Sequence, residues 1–376
     1  MIKRKRFSRR TFLGVAATLA VGGLLLKQES SPSCAATEAD AIKHKVWVWR
    51  FDVDGRPEDV RNMLAANGLA IILKTHEGDS WMSQFDKSPT AITGPAKVRE
   101  MASYFEAAGI PFHAWCVVQG RDPITEAHLC SQVLDNGARS LTFDLEPSDG
   151  GHYWQGDAQA ALLFGQELRR LQPNAHLAVA PDGRPWQIKG VPTAEFATFC
   201  NEIQPQTYWQ TFNGKMNNQR MAEAGFPVGP EGMTPELILD ASAAYLRPMG
   251  LPVRPIGQGT AGGHEWERFI RRAFELGLES VSVWRYGTAN GEVWPTLRAM
   301  PPAQPAAPQP TPTAEPPTPV PTATEPAPAV AAEPPTTPAV EIPAPPAANE
   351  PVAPPAPTVV SEAILGAAKS CVAAGG

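Results

Sequence analysis

The chain has 376 residues and a formal net charge of −6, with 38 acidic side chains against 32 basic ones. This acidic balance disfavours nucleic acid and anionic lipid as partners, because each phosphate contact needs a cation. The five cysteines have spacings that match neither a zinc motif nor a disulfide framework, so no metal and no other cofactor is expected. Cys116 lies in an apolar run and is interpreted as a small buried hydrophobic residue.

The first 36 residues have the organisation of an export signal. A basic run at residues 3–6 precedes Ser8-Arg9-Arg10-Thr11-Phe12-Leu13, and an apolar stretch continues to Leu26. This pattern resembles the bacterial twin-arginine signal, and the apolar stretch is short for a membrane span. We therefore expect residues 1–36 to be a twin-arginine signal peptide that engages the twin-arginine export machinery. The protein is then secreted or held in the cell envelope, and it contacts the membrane only through this signal where the signal is not cleaved.

Residues 44–300 alternate between strand-like and helix-like segments. Eight apolar or β-branched runs are each followed by a helix-like stretch. The predicted strands are residues 46–51, 69–74, 111–118, 140–146, 176–180, 203–209, 253–258 and 280–285. Eight such units in about 250 residues predict an α/β fold, a (β/α)8 TIM barrel. The same alternation allows a doubly wound open sheet, but no glycine-rich phosphate loop follows any strand.

The composition changes after Met300. Residues 301–360 are mainly Pro, Ala, Thr, Val and Glu, without an aromatic or basic residue. Such a segment buries too little apolar surface to offset the entropy of ordering, so it is predicted to be a disordered, extended linker. Residues 361–376 are predicted to be a short C-terminal segment. Two roles stay open for this tail, a stalk that spans the cell wall and an inert extension.

The active site of a TIM barrel lies where its strands end, in the loops that follow. Polar and aromatic side chains at those ends are therefore the candidates for binding a substrate. They are Asp52, Glu77, Asp182, Gln206, Tyr208, Gln258, Trp284 and Tyr286. The aromatic rings among them are suited to stacking on sugars.

The sharpest feature is Asp144-Leu145-Glu146-Pro147, at the end of the fourth predicted strand. Alternate strand residues share a face, so Asp144 and Glu146 point the same way. Like charges this close raise one pKa and give a protonated acid beside an ionised partner. Cleavage of a glycosidic bond needs such a pair, an acid for the leaving oxygen and a carboxylate for the developing positive charge.

Together these residues resemble the glycoside hydrolase barrels, and most closely the family 25 lysozyme-type muramidases. That family is similar in its Asp-x-Glu at strand four, in an acidic residue after strand one, and in a late aromatic element that Trp284-Arg285-Tyr286 resembles. Family 18 chitinases share the Asp-x-Glu and a Trp at strand eight. The resemblance implies Glu146 as general acid and Asp144 as its electrostatic partner or as the residue that orients it, while Asp182, Asp52 and Glu77 stay open as nucleophile or base.

Three functions compete at this point. The first is an exported hydrolase that cleaves a glycan such as peptidoglycan by carboxylate acid/base chemistry. The second is a barrel on a Pro-rich stalk that binds cell-wall glycan without cleaving it. The third is a metal-dependent hydrolase or deacetylase, with His76, Glu77, His113 and Asp144 as ligands, although no metal-binding His spacing occurs.

Overall fold

The structure is a computed structural model, and it describes residues 43–302. The predicted signal peptide, the C-terminal segment and nearly all of the predicted linker lie outside these residues. Among the described residues, no helix combines the length and the apolar character that crossing a bilayer requires.

The described part of the chain contains ten strands and eleven α-helices. The strands are β1 (Lys45–Val48), β2 (Ala70–Glu77), β3 (Ser80–Trp81), β4 (Phe112–Val117), β5 (Ser140–Leu145), β6 (His176–Pro181), β7 (Glu202–Ile203), β8 (Gln206–Thr207), β9 (Ile256–Gln258) and β10 (Ser282–Trp284). The helices are α1 (Phe51–Asp54), α2 (Pro57–Asn67), α3 (Pro95–Glu106), α4 (Pro123–Asp135), α5 (Ala158–Leu171), α6 (Pro185–Ile188), α7 (Thr193–Ala197), α8 (Lys215–Glu223), α9 (Pro235–Leu246), α10 (Gly263–Glu275) and α11 (Val293–Ala299).

Parallel pairing links the strands in the order β7-β6-β5-β4-β2-β1-β10-β9-β8. The two ends of this order, β7 and β8, are halves of one strand, because Pro205 has no N–H to continue the ladder. Isolated β-bridges pair Gln206 with Asp182, which follows β6, and Ile203 with Val253, which precedes β9. The two halves are therefore joined to the strands on both sides. The pairing therefore runs through eight parallel strands and returns to its start, which confirms the predicted (β/α)8 barrel. β3 adds a short antiparallel hairpin to β2.

Local sequence signals explain where the helices begin. Proline occupies the first turn of α2, α3, α4 and α9, where its missing N–H costs nothing. The side chains of Asp122, Asp157 and Thr234 cap α4, α5 and α9 by accepting a backbone N–H. These caps fix where each helix starts relative to the strand before it, and so they position the loops at the barrel's C-terminal end.

Strand alternation divides the core into two layers. In β1, Val46 and Val48 belong to the larger cluster between strands and helices, whereas Trp47 belongs to a small cluster inside the barrel with Trp115 and Ile256. The end of the barrel where the strands begin is closed by buried charges instead. There Glu202 pairs with Lys45, Arg254 and His176. Burial raises the pKa of the Glu202 carboxyl, but the charges of Lys45 and Arg254, with His176 beside them, hold it well below its ordinary value.

Candidate active site

A cavity of about 620 Å³ opens at the C-terminal ends of the strands. Its floor is made of three indole rings, those of Trp47, Trp115 and Trp284, whose centroids lie 5.3 to 5.8 Å apart in tilted or edge-on contacts. Trp47 and Trp115 are only 2 % and 1 % exposed, so they are core residues that also form the surface under the cavity. An apolar floor with polar walls suits a ring-shaped substrate that carries hydroxyl groups.

Two carboxylates lie side by side in the wall of this cavity. Asp144 is in β5 and is buried, while Glu146 follows β5 and is partly exposed. The side-chain Nε2 of Gln206 donates to Asp144 Oδ1 and to Glu146 Oε1, at 2.8 Å in both cases. The two accepting oxygens can therefore be no further apart than the sum of these distances. Gln206, in β8, is thus the donor that holds the acid pair together.

A glycine brings Gln206 this close. Gly183, just after β6, donates its N–H to the carbonyl oxygen of Gln206 at 2.9 Å. A Cβ at position 183 would lie 2.6 Å from that same oxygen and 2.7 Å from Ser242 Oγ. Only glycine permits this backbone approach, so the seam of the barrel next to the acids depends on it.

Burial sets the proton affinity of the acid pair. It raises the pKa of Asp144 well above the ordinary value, and the neighbouring Glu146 charge raises it further. Burial also raises the pKa of Glu146. Because neither carboxyl ionises easily beside the other, the pair retains one proton at a pH where isolated carboxyls have lost theirs. This is the state in which one carboxyl is an acid and its neighbour is an anion.

Lys74 and Glu77 form an ion pair inside the barrel, near Asp144. Lys74 also lies 4.6 Å above the Trp115 ring. A β-bulge between Lys74 and His76 allows both members of the ion pair to face the cavity, because it shifts the alternation of β2 by one residue. Lys74 attracts the Asp144 anion and lowers the pKa of that carboxyl, against the larger effect of burial.

Asp182 and Arg184 form a second ion pair in the wall. Arg184 donates to both carboxylate oxygens of Asp182 and, at 3.1 Å, to Asn217 Oδ1. Tyr208 and Tyr153 complete the lining on this side, and burial raises the pKa of both phenols. Each therefore stays a neutral hydroxyl that can donate to a substrate or to a carboxylate.

Seven of the ten residues predicted for the site line the cavity. They are Asp144, Glu146, Glu77, Asp182, Gln206, Tyr208 and Trp284. Sequence reasoning missed Lys74, Arg184 and Tyr153. The apolar setting of Lys74 within strand two is the one signal that could have revealed it, since an unpaired ammonium is rarely placed there.

Three predicted residues do not line the cavity. Asp52 lies in α1 and pairs with Arg50 at 3.1 Å, because the chain turns into a helix directly after β1. Gln258 points into the loop after β8, where its Oε1 accepts the backbone N–H of residues 210 and 211. Tyr286 stacks on Trp294 with centroids 6.1 Å apart. These three side chains support loops at the barrel rim rather than a substrate.

The residues considered as metal ligands inside the barrel do not converge. His76 lies outside the barrel wall against Trp81, with ring centroids 5.8 Å apart. His113 lies near the start of its strand, and its Nδ1 is 2.7 Å from Ser140 Oγ. Glu77 and Asp144 remain in the cavity, each with its own polar partner. Of the four, only the two carboxylates share the cavity.

Comparison with known proteins reveals similarity in fold. No family profile and no curated protein sequence matches the chain. Among solved structures, a family 18 N-acetylglucosaminidase from Paenibacillus barengoltzii superposes with a TM-score of 0.49 at 9% identity, over 68% of this chain and 99% of that one. The catalytic domain of a Pyrococcus furiosus chitinase gives 0.44 at 12%, over 68% and 93%. The Bacillus cereus spore cortex-lytic enzyme SleL gives 0.45 at 9%, over 68% and 74%.

Of these three solved structures, the first is described as a family 18 glycoside hydrolase. Identities this low and TM-scores below 0.5 leave the assignment of a function to the geometry of the cavity. The resemblance to the family 25 muramidases stays a prediction.

Proposed function

We propose that this protein is an exported glycoside hydrolase, with Glu146 as its general acid and Asp144 as the buried carboxyl that shares one proton with it. One observation carries the proposal: the two carboxyls accept from the same Gln206 amide group in the wall of an open, indole-floored cavity. A buried acid pair that retains a proton costs stability in a protein with no use for it, so its exposure to a substrate-sized cavity points to chemistry.

The proposed reaction uses the pair in two stages. Glu146 delivers the one proton that the pair retains to the glycosidic oxygen, and the bond from that oxygen to the anomeric carbon breaks. Positive charge then develops at the sugar, where Asp144, ionised once the pair has lost its proton, stabilises it. Water adds to the anomeric carbon and returns a proton to Glu146, which restores the starting state.

Other carboxylates of the cavity are less available for this role. Glu77 is paired with Lys74 and Asp182 with Arg184, so each already has its cation. Asp52 lies outside the cavity. We therefore assign the stabilising charge to Asp144 rather than to the three residues that the sequence left open.

The substrate that we propose is an uncharged or weakly charged glycan such as peptidoglycan. The acidic chain disfavours polyanions, and the indole floor offers flat apolar faces for sugar rings. The proposed export places the protein where such a polymer is found. Replacing Arg9 and Arg10 with Lys should abolish export of a reporter fused to residues 1–36, and unchanged export would exclude the twin-arginine route.

The decisive experiment compares the native protein with Glu146→Gln on peptidoglycan and on chitin. We expect new reducing ends from the native protein and a loss of about 10²–10⁴-fold in the variant. Glu58→Gln is the matched control, because Glu58 is exposed on α2. If both proteins bind the polymer and neither cleaves it, the protein is a glycan-binding module and the hydrolase proposal fails.

A further inference from the structure

We propose that His76, Cys116 and Cys130 form a structural zinc site between the barrel wall and helix α4. The three side chains come from β2, β4 and α4 and are buried. Within the described part of the chain, these three residues are found with one ligand atom of each within 4.8 Å of the others. The site is separate from the acid pair, which faces the inside of the barrel.

Two of the three distances within the cluster match those between ligands that share one ion. Cys116 Sγ and Cys130 Sγ are 4.0 Å apart, and Cys130 Sγ is 3.5 Å from His76 Nε2. Two thiolates on tetrahedral zinc, with Zn–S bonds of about 2.3 Å, lie about 3.8 Å apart, and a thiolate and an imidazole nitrogen lie about 3.6 Å apart. A disulfide would instead bring the two sulfurs to about 2.05 Å.

A neighbouring hydroxyl determines which nitrogen of His76 is free to bind the ion. Thr75 Oγ1 donates its one proton to the carbonyl oxygen of Trp115 at 3.2 Å. The same oxygen lies 2.9 Å from His76 Nδ1, and both contacts are hydrogen bonds when it accepts a proton from that nitrogen. The lone pair of the neutral ring is then on Nε2, the nitrogen that faces Cys130. Metal-binding histidines are commonly fixed in this way by a partner on the other nitrogen.

Charge and softness select the ion. Two thiolates and a neutral imidazole carry two negative charges, which a divalent cation neutralises, and the carboxylate of Glu126 adds negative charge near Cys130. Thiolate and imidazole ligands suit zinc, and hard cations such as Mg²⁺ prefer oxygen. Three protein ligands and one water is a coordination that zinc adopts.

The position of the cluster indicates what the ion would do. β2 and β4 carry Lys74, Glu77 and Val117 into the cavity, and α4 packs behind them. An ion bound to all three elements would hold the bulged end of β2 against its neighbours. Because the cluster is buried and on the far side of the wall, this role is structural.

The test measures zinc in the full chain after refolding with and without Zn²⁺, by elemental analysis of the gel-filtered protein. We expect about one zinc per chain and none in Cys130→Ala, whereas Cys200→Ala, another buried cysteine, keeps it. Substitution by Co²⁺ should give the intense near-ultraviolet absorption of a thiolate–cobalt bond in the native protein and in Cys200→Ala. Zinc should also raise the midpoint of thermal unfolding of the native protein but not that of Cys130→Ala.

Three results would overturn the proposal. The first is that the refolded native protein takes up no zinc while its thiols are reduced. The second is that Cys130→Ala binds zinc as well as the native protein does. The third is a Cys116–Cys130 disulfide in protein isolated without reductant, shown by peptide mapping. If Cys130→Ala does not fold, thermal unfolding of the native protein with zinc and with a chelator decides instead, and equal midpoints would refute the site.

Discussion

Lys74 and Glu77 form an ion pair on the inner face of a single strand, although residues three apart in a regular strand face opposite sides. The bulge that follows Lys74 is the cause, and it has a second effect. It turns His76 outward to the cysteines of β4 and α4. One irregularity in β2 therefore brings the Glu77 carboxylate to Lys74 in the cavity and supplies a histidine to the cluster behind it.

Replacing Lys74 with Met should destabilise the protein and shift its pH profile. Glu77 would be left without its cation, at a cost of about 3–5 kcal/mol, and the midpoint of thermal unfolding should fall. Lys74 lowers the pKa of Asp144, so its loss should move the activity profile to higher pH. The double variant Lys74→Met/Glu77→Gln should regain stability but keep the shifted profile. A double variant as unstable as the single one would show that the pair does not act as described.

Gln206→Met removes the shared donor while keeping the side-chain shape. Hydrogen bonds to charged groups contribute about 1.5–3 kcal/mol, so we expect kcat to fall by about 10- to 100-fold with a smaller change in KM. Gln219→Met, at an exposed position of α8, is the control and should retain full activity. Unchanged kcat in Gln206→Met would mean that the amide does not organise the acids.

Asp144→Asn should make the protein inactive and more stable at high pH. Burial raises the pKa of Asp144, so the folded protein binds its proton more tightly than the unfolded chain does. Stability is therefore lost as the pH rises through the folded-state pKa, and Asn has no proton to lose. The variant's gain in unfolding midpoint should be larger at pH 8 than at pH 4, at about 2–4 °C for each kcal/mol. An equal gain at both pH values would contradict a raised pKa.

Trp284→Phe tests the indole floor. A smaller ring leaves less surface for the sugar, so KM should rise by about 3- to 10-fold while kcat changes little. Trp294→Phe is matched in chemistry but lies outside the cavity, on Tyr286, and should leave KM unchanged. Equal KM values for the two variants would place the substrate elsewhere.

Much of the barrel and the acid pair could be predicted from the sequence, because both depend on short-range periodicity. Alternation within the fourth predicted strand places Asp144 and Glu146 on one face, and the count of strand–helix units gives the closed architecture. Gln206 was in the predicted set because it ends a strand. Its role as the donor shared by both acids depends on the contact across the seam at Gly183, which local pattern does not show.

The residues that prediction misplaced lie where the backbone leaves regular geometry. Asp52 was expected at the cavity, but α1 begins at Phe51 and carries it to the rim. Lys74 was missed because the prediction took its candidates on strand two from beyond residue 74, whereas β2 continues to Glu77 and Lys74 lies in the cavity wall within it. Cys116 is buried as expected, yet its neighbours His76 and Cys130 are brought to it by three separate elements. Such convergence depends on tertiary packing, and the spacing of these residues along the chain does not indicate it.

The strand that closes the barrel is divided into two short halves. β7 and β8 each have two residues in register with one neighbour, whereas β2 has six with β4. Backbone amides at this junction should exchange with deuterated solvent sooner than those of β4 or β5, because opening it breaks few hydrogen bonds. Since Gln206 belongs to this segment, each local opening of the seam would break its hydrogen bonds to both acids. The proposed catalyst would then be inactive until the seam closes again.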